Sequence, residues 1–121
     1  MFAKWVFTLA GVYGVIVIAP LYFMRAAMGE KAGVLPQPPE IYYGFVGVTL
    51  AFQLLFLLIG RDPVRYRPAM LVGVVEKLSY PAAVWPLFLM GQTKGPAVGF
   101  ATIDAVLAVL FLAAWLKTPK Q

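Results

Sequence analysis

Glu76, Lys77 and Tyr80 sit within one apolar run, residues 69–91, and the single polar side chains Gln53 and Asp104 interrupt two more, 41–59 and 97–116. A carboxylate, an ammonium and a phenol can exchange protons, hold a small polar ligand or pair with one another, and each choice matters more as water is removed. Spacing decides which of them can act together. On a helix Tyr80 lies one turn beyond Glu76 on the same face, since side chains at i and i+4 stack. With Pro68 as the start of that helix, Glu76 comes about 12 Å along it. Gln53, counted back from the end of its run, and Tyr13, counted forward from Lys4, reach a similar depth, and Asp104 comes level with Tyr80 and Thr49. The candidate ligand-binding set is therefore Glu76, Tyr80, Gln53 and Asp104, one polar slab fed by three or four helices.

Composition narrows the chemistry. The 121 residues include no cysteine and no histidine, which removes disulfides, thiol nucleophiles, iron–sulfur clusters and imidazole-ligated haem or zinc from this chain. The usual general base near neutral pH is absent too. No catalytic residue, metal site or cofactor is expected on these grounds, although carboxylate and tyrosine acid–base work stays open.

The polar slab is carried by a chain that is 62% hydrophobic and 12% charged, too apolar for a soluble domain of this length. Four runs hold the excess: 5–24 and 41–59 without a charge, 69–91 broken by Glu76 and Lys77, and 97–116 broken by Asp104. About twenty helical residues cross a hydrocarbon core of roughly 30 Å, and all four runs pass that length test. The first differs from a cleaved signal peptide in two ways. It is long for an h-region, and a cut after Val17-Ile18-Ala19 would leave Pro20 next to the cleavage point. It is expected to stay as a helix.

The net charge of +5 forms no contiguous basic stripe, so nucleic acid is not an expected partner. Its distribution is topological instead. Lys4, Arg61, Arg65, Arg67, Lys117 and Lys120 fall on the amino end, the second connection and the tail, against Arg25, Lys31 and Lys94 in the other two connections. With four spans the first group shares one face, which the positive-inside rule makes cytoplasmic. The expected fold class is all-α: a single transmembrane domain, 1–121, built as an integral membrane four-helix up-down-up-down bundle with both termini cytoplasmic. The expected location is the cell membrane, multi-pass, and the inner membrane if the source is bacterial.

The connections carry their own signals. In the first, Pro36, Pro38 and Pro39 enforce an extended approach to the second span, and a plain connector is expected. In the second, Asp62-Pro63 reads as a helix start, an N-cap acceptor followed by proline at the first position. Tyr66 is expected at headgroup depth, with Arg61, Arg65 and Arg67 at lipid headgroups, first of all as a positive-inside anchor. Gly11 and Gly14, Gly44 and Gly47, and Ala101, Ala105 and Ala108 recur at helical spacing and mark close helix packing. Trp5, Tyr22, Phe23, Tyr42, Tyr43 and Trp115 belong to interfacial belts.

Neighbours on a helix differ by ~100° in direction, so Glu76 and Lys77 must diverge. Glu76 is expected inward, with Gly73 and Tyr80, and Lys77 toward the cytoplasmic headgroups with its stem along apolar surface. Two uses of the slab stay open. The polar groups either form a buried network that fixes helix register or line a pocket. In the network, Glu76 would meet an arginine of the second connection, and Asp104 would meet Lys94 or water. Pro81 and Pro86 free the carbonyls of Lys77 and Ala82 and kink the helix, and those carbonyls need partners inside the bundle.

At "GRDPVRYRPAMLVGVVEKLSY", residues 60–80, the chain resembles small bacterial four-span membrane proteins with a D-P-x-R-Y/H-R-P…L-E-K pattern, whose last part reads Val75-Glu76-Lys77 here. More loosely it is similar to the DoxX-like superfamily of four-helix membrane proteins. That likeness implies the fold and the membrane compartment. Through members associated with oxidoreductase complexes it also implies, as one function, an enzyme acting on a quinone or lipid. No DoxX catalytic motif can be placed on these residues. Small size, small-residue faces and the missing redox ligands favour a non-catalytic subunit or assembly partner of a larger membrane complex. Its partners would be the lipid bilayer, other membrane subunits or further copies of the chain. A carrier or binder of a small or lipidic ligand, working through Glu76, Gln53 and Tyr80, is the alternative.

Overall fold

The computed structural model describes residues 1–32, 37–93 and 95–120, without the side chains of 31 and 32. Every regular element among them is helical. Helix α1 (Phe2–Ile18) passes into a 3₁₀ turn, Ala19–Phe23, where Pro20 has no N–H to continue the α-helical ladder. A short helix, α2 (Arg25–Ala32), follows in the stretch expected to be a plain connector. Pro38 is extended (φ −51°, ψ 139°) and Pro39 opens α3 (Pro39–Arg61), the first helical position being where a missing N–H costs nothing. Pro36 lies outside the described residues. Two more helices, α4 (Ala69–Leu89) and α5 (Gly95–Lys117), complete the chain.

Three segments are long and apolar enough to cross a membrane: Phe2–Phe23, Pro39–Arg61 and Gly95–Lys117. Helix α4 has the length, 21 residues, but Glu76, Lys77, Ser79 and its two prolines dilute it, so length alone overstated its likeness to the other three. It also stops before residue 91. Gly91 adopts φ 74°, its N–H donates to the Phe88 carbonyl (3.0 Å), and the Gln92 N–H donates to the Leu87 carbonyl (2.8 Å). This is a Schellman ending, and glycine suits its left-handed residue.

The larger interfaces pair α1 with α3 and α4 with α5, while α1 meets α5 less closely and α3 meets α4 less still. Three phenylalanines join the pairs. Phe7 of α1 stacks on Phe111 of α5 with centroids 4.1 Å apart, and Phe56 of α3 meets Phe111 edge-on at 4.9 Å. Such pairs contribute about 0.5–1.5 kcal/mol each beyond the area they bury. Ala3, Ala10, Ile59, Met70 and Ala114 close the core around them. Gly73 lets α4 reach this cluster, since a Cβ there would press on the Phe56 and Phe111 rings.

Small residues elsewhere serve the same end. A Cβ on Gly11 or Gly14 would strike Leu57 or Gln53 of α3, and one on Gly60 would strike Thr8 of α1. Ala101 and Ala108 are buried on α5. Gly44 faces open space and Gly47 approaches only the Tyr22 hydroxyl, so that expected packing pair holds no helices together within the chain.

One end of the molecule gathers both termini and the second connection. Lys117 Nζ lies 4.5 Å from the Phe2 ring centroid, and the Arg67 Nε–H donates to the carbonyls of Trp115 (3.1 Å) and Thr118 (2.8 Å). Toward the other end, the Tyr42 hydroxyl donates to the Leu21 carbonyl (2.6 Å), which ties α3 to the 3₁₀ turn. Trp5, Phe23, Val48, Val75, Val109 and Leu116 lie on the outside with many other large apolar side chains. A water-soluble protein does not present so much contiguous apolar surface. This is the exterior of a membrane protein.

Candidate functional site

Lys77 is the side chain that α4 turns inward. It shares a buried stripe with Met70, Gly73, Pro81 and Val84, spaced by three and four residues as one helix face requires. Lys77 is 4% exposed. Its Nζ stands 3.8 Å from Glu76 Oε2 and 3.7 Å from Asp104 Oδ1, and 5.2 Å from the centroid of the Phe56 ring. An ammonium between two carboxylates and over an aromatic face is stabilised on three sides. At these distances the contacts are ion pairs, beyond the reach of a direct N–H···O bond.

The expected orientation is corrected for Lys77, which turns inward and not to the headgroups, while the Glu76 side chain is 16% exposed at the flank of the same stripe. Gly73 fits either register, being i−3 from Glu76 and i−4 from Lys77. The tie is broken one turn further on. Pro81, i+4 from Lys77, is buried, whereas Tyr80, i+4 from Glu76, is 36% exposed.

Each carboxylate finds its cation in Lys77. For Glu76 this replaces the expected arginine of the second connection; the Lys94 expected beside Asp104 lies outside the described residues. The pairing bridges two helices, α4 and α5. Arg67 is occupied elsewhere. Besides its bonds to the Trp115 and Thr118 carbonyls, its guanidinium lies 4.4 Å over the Trp115 ring. A cation at the end of α5 satisfies carbonyls that have no partner within the helix, so this arginine caps α5 through its Nε. Arg61 and Arg65 are exposed. Asp62 acts as the expected acceptor, taking the Arg65 backbone N–H on Oδ1 (3.4 Å), but tight turns follow it instead of a helix.

Gln53 belongs to a different contact. It is 1% exposed, its Nε2 donates to the Thr49 carbonyl (3.0 Å), and its carboxamide covers Gly14 of α1. Tyr80 sits on the outer side of α4, 36% exposed. Of the four candidate residues, the structure thus joins Glu76 and Asp104 through Lys77, leaves Tyr80 at the margin and places Gln53 in the α1–α3 interface. Lys77 as the hub, and Phe56 beneath it, were not among the candidates. The signal for Lys77 was present in the Met70, Gly73, Pro81 and Val84 stripe.

Such a cluster can fix helix register or pass a proton between its oxygens. Among the described residues no three histidine, cysteine, aspartate or glutamate side chains gather as a metal group. Two clefts open on the surface. One, of 340 Å³, is lined by Leu58, Arg61, Asp62, Arg65 and Tyr66. The other, of 430 Å³, is an apolar groove where Trp5, Leu9 and Tyr13 face Ile103 and Leu107. Neither is lined by Gln53, Glu76, Lys77 or Asp104. No protein-family model, curated protein or solved structure matches this chain.

Proposed function

We propose that the chain is a four-span protein of the cell membrane, with both termini cytoplasmic, that serves as a non-catalytic subunit or assembly partner of a larger membrane complex. The observation that carries this is the double ion pair of Lys77. A charged side chain near the bilayer centre costs ~2.5–3.5 kcal/mol on insertion scales. Here the charges of α4 and α5 face one another, which lowers that cost for both helices and supports reading α4 as a fourth span. Such a network suits a scaffold whose helices are held in register.

Support for the topology comes from the end where Phe2, Arg67, Lys117 and Thr118 meet. Six of the basic side chains belong to that end or its tail, the pattern of a cytoplasmic face. The likeness of residues 60–80 to small bacterial four-span proteins, and more loosely to DoxX-like ones, points to the same fold and to a bacterial inner membrane. The exposed apolar surfaces of α1, α3 and α5 suit lipid, further subunits or a second copy. Mild detergent extraction of a tagged chain from its native membrane, followed by sizing and identification of co-purifying proteins, tests the proposal. A stoichiometric membrane partner is expected, and a lone monodisperse monomer would overturn it.

A second reading, a binder of a small or lipidic ligand, is favoured by Gln53 Oε1 and Glu76 Oε2, buried oxygens that receive no hydrogen bond from the described residues.

A further inference from the structure

We infer that the cleft between the end of α3 and the second connection binds an anionic phospholipid with a hydroxylated headgroup, of the phosphatidylglycerol class. The site rests on the membrane placement proposed above, which puts this connection at the cytoplasmic leaflet. Arg67 turns its Nε to the α5 carbonyls and does not line this cleft. Arg61 and Arg65 remain, and they line the 340 Å³ cleft together with Asp62, Tyr66 and Leu58.

Each lining residue points to one part of the ligand. Guanidinium forks match phosphate oxygens in pairs, and the Tyr66 ring, 5.5 Å from the Arg65 carbon centre, limits where that fork can swing. Two arginines against Asp62 leave the lining one positive charge in excess, which suits a phosphodiester carrying a single negative charge. A zwitterionic headgroup would leave that excess uncompensated. Asp62 is an acceptor only; with Oδ1 taken by the Arg65 N–H, its second oxygen suits a hydroxyl donor and opposes further anionic charge. Below the charged rim the wall becomes apolar. Leu58 is 43% exposed and Leu54, one turn back, 55% exposed, with Ala51 also on the surface. That track along α3 suits an acyl chain, which free phosphate does not have.

The full chain in a non-ionic detergent is titrated with phosphatidylglycerol, phosphatidylcholine and glycerol 3-phosphate, and binding is read by native mass spectrometry and by thermal shift. Phosphatidylglycerol should bind at least about tenfold more tightly than phosphatidylcholine, and glycerol 3-phosphate should not bind at matched concentration. The R61Q/R65Q variant should bind phosphatidylglycerol about 30-fold more weakly, the factor two arginines carry at an anionic surface. The K4Q/K120Q variant, which loses the same charge from the same end, should bind like the wild type. Equal affinity for phosphatidylcholine, equal loss in K4Q/K120Q, or binding of glycerol 3-phosphate as tight as that of the lipid would each overturn the site. The wild-type titration decides the matter even if a variant misfolds. A reporter active only outside the cytoplasm, fused after Gln121, separates the two levels: its activity would refute the topology, whereas silence with no lipid preference would refute the cleft alone.

Discussion

Lys77 has one carboxylate partner beside it in sequence and the other on a different helix, so removing any one of the three charges has a distinct consequence. Lys77→Met keeps the length of the stem but leaves Glu76 and Asp104 without their cation. Breaking a buried pair in this way costs about 3 kcal/mol or more, and the detergent-solubilised variant should melt well below the wild type. Glu76→Gln should cost less, because Asp104 still holds the ammonium. The triple variant with Lys77→Met, Glu76→Gln and Asp104→Asn should regain most of the loss, as groups acting as one unit require. A Lys77→Met protein with an unchanged melting temperature would rule out a structural role for the network. The depth of these residues was legible in the sequence because the rise of a helix is constant. Their direction was not, because Gly73 satisfies the inward register of both Glu76 and Lys77. Only the burial of Pro81 against the exposure of Tyr80 separates the two.

Among the elements, α1 and α3 hold each other through glycine positions that differ in kind. A Cβ on Gly14 meets only the carboxamide end of Gln53, whereas one on Gly60 meets the Thr8 backbone as well as its hydroxyl. Gly14→Ala should therefore destabilise by about 1–3 kcal/mol, the usual cost of overpacking, and Gln53→Ala in the same chain should relieve much of it. Gly60→Ala should not be relieved by Thr8→Ala, because the backbone stays in place. Unfolding of the single and double variants in detergent gives the two coupling energies. An additive Gly14–Gln53 pair would contradict the contact. The stripe at Gly11 and Gly14 could be read as packing in advance, but which side chain fills it could not, since Gln53 comes from another helix. Proline and glycine set the helix ends at Pro39 and Gly91, yet the hydrophobic runs placed the second span two residues late, at 41, and carried the third through residue 91. Helix α2 was not legible, because "RAAMGEKA" has no apolar face and forms its turns through local bonds such as the Met28 N–H to the Met24 carbonyl (2.8 Å).

The molecule as a whole is unevenly held. Its aromatic core and its cross-connections concentrate where both termini and the second connection meet, while α3 and α4, though consecutive, share little surface. Composition announced the membrane, and the distribution of lysine and arginine announced which connections belong together. The role of Arg67 was out of reach of the sequence, because its carbonyl partners lie 48 and 51 residues further along the chain, and no local pattern marks them.

That separation sets an order of events during synthesis. When α4 leaves the ribosome, Asp104 has not been made and neither have the carbonyls that Arg67 will hold. A newborn chain at that stage carries a lysine whose only countercharge is its neighbour, an uncapped arginine, and a helix less apolar than the other long ones. On the proposed four-span arrangement, translation of α5 supplies these partners together, and α4 and α5 settle in lipid as a unit. A chain stopped after Gln92 should accordingly have a much shorter lifetime in a pulse-chase experiment than the full chain; equal lifetimes would show that α4 is secure in the membrane before its partner arrives.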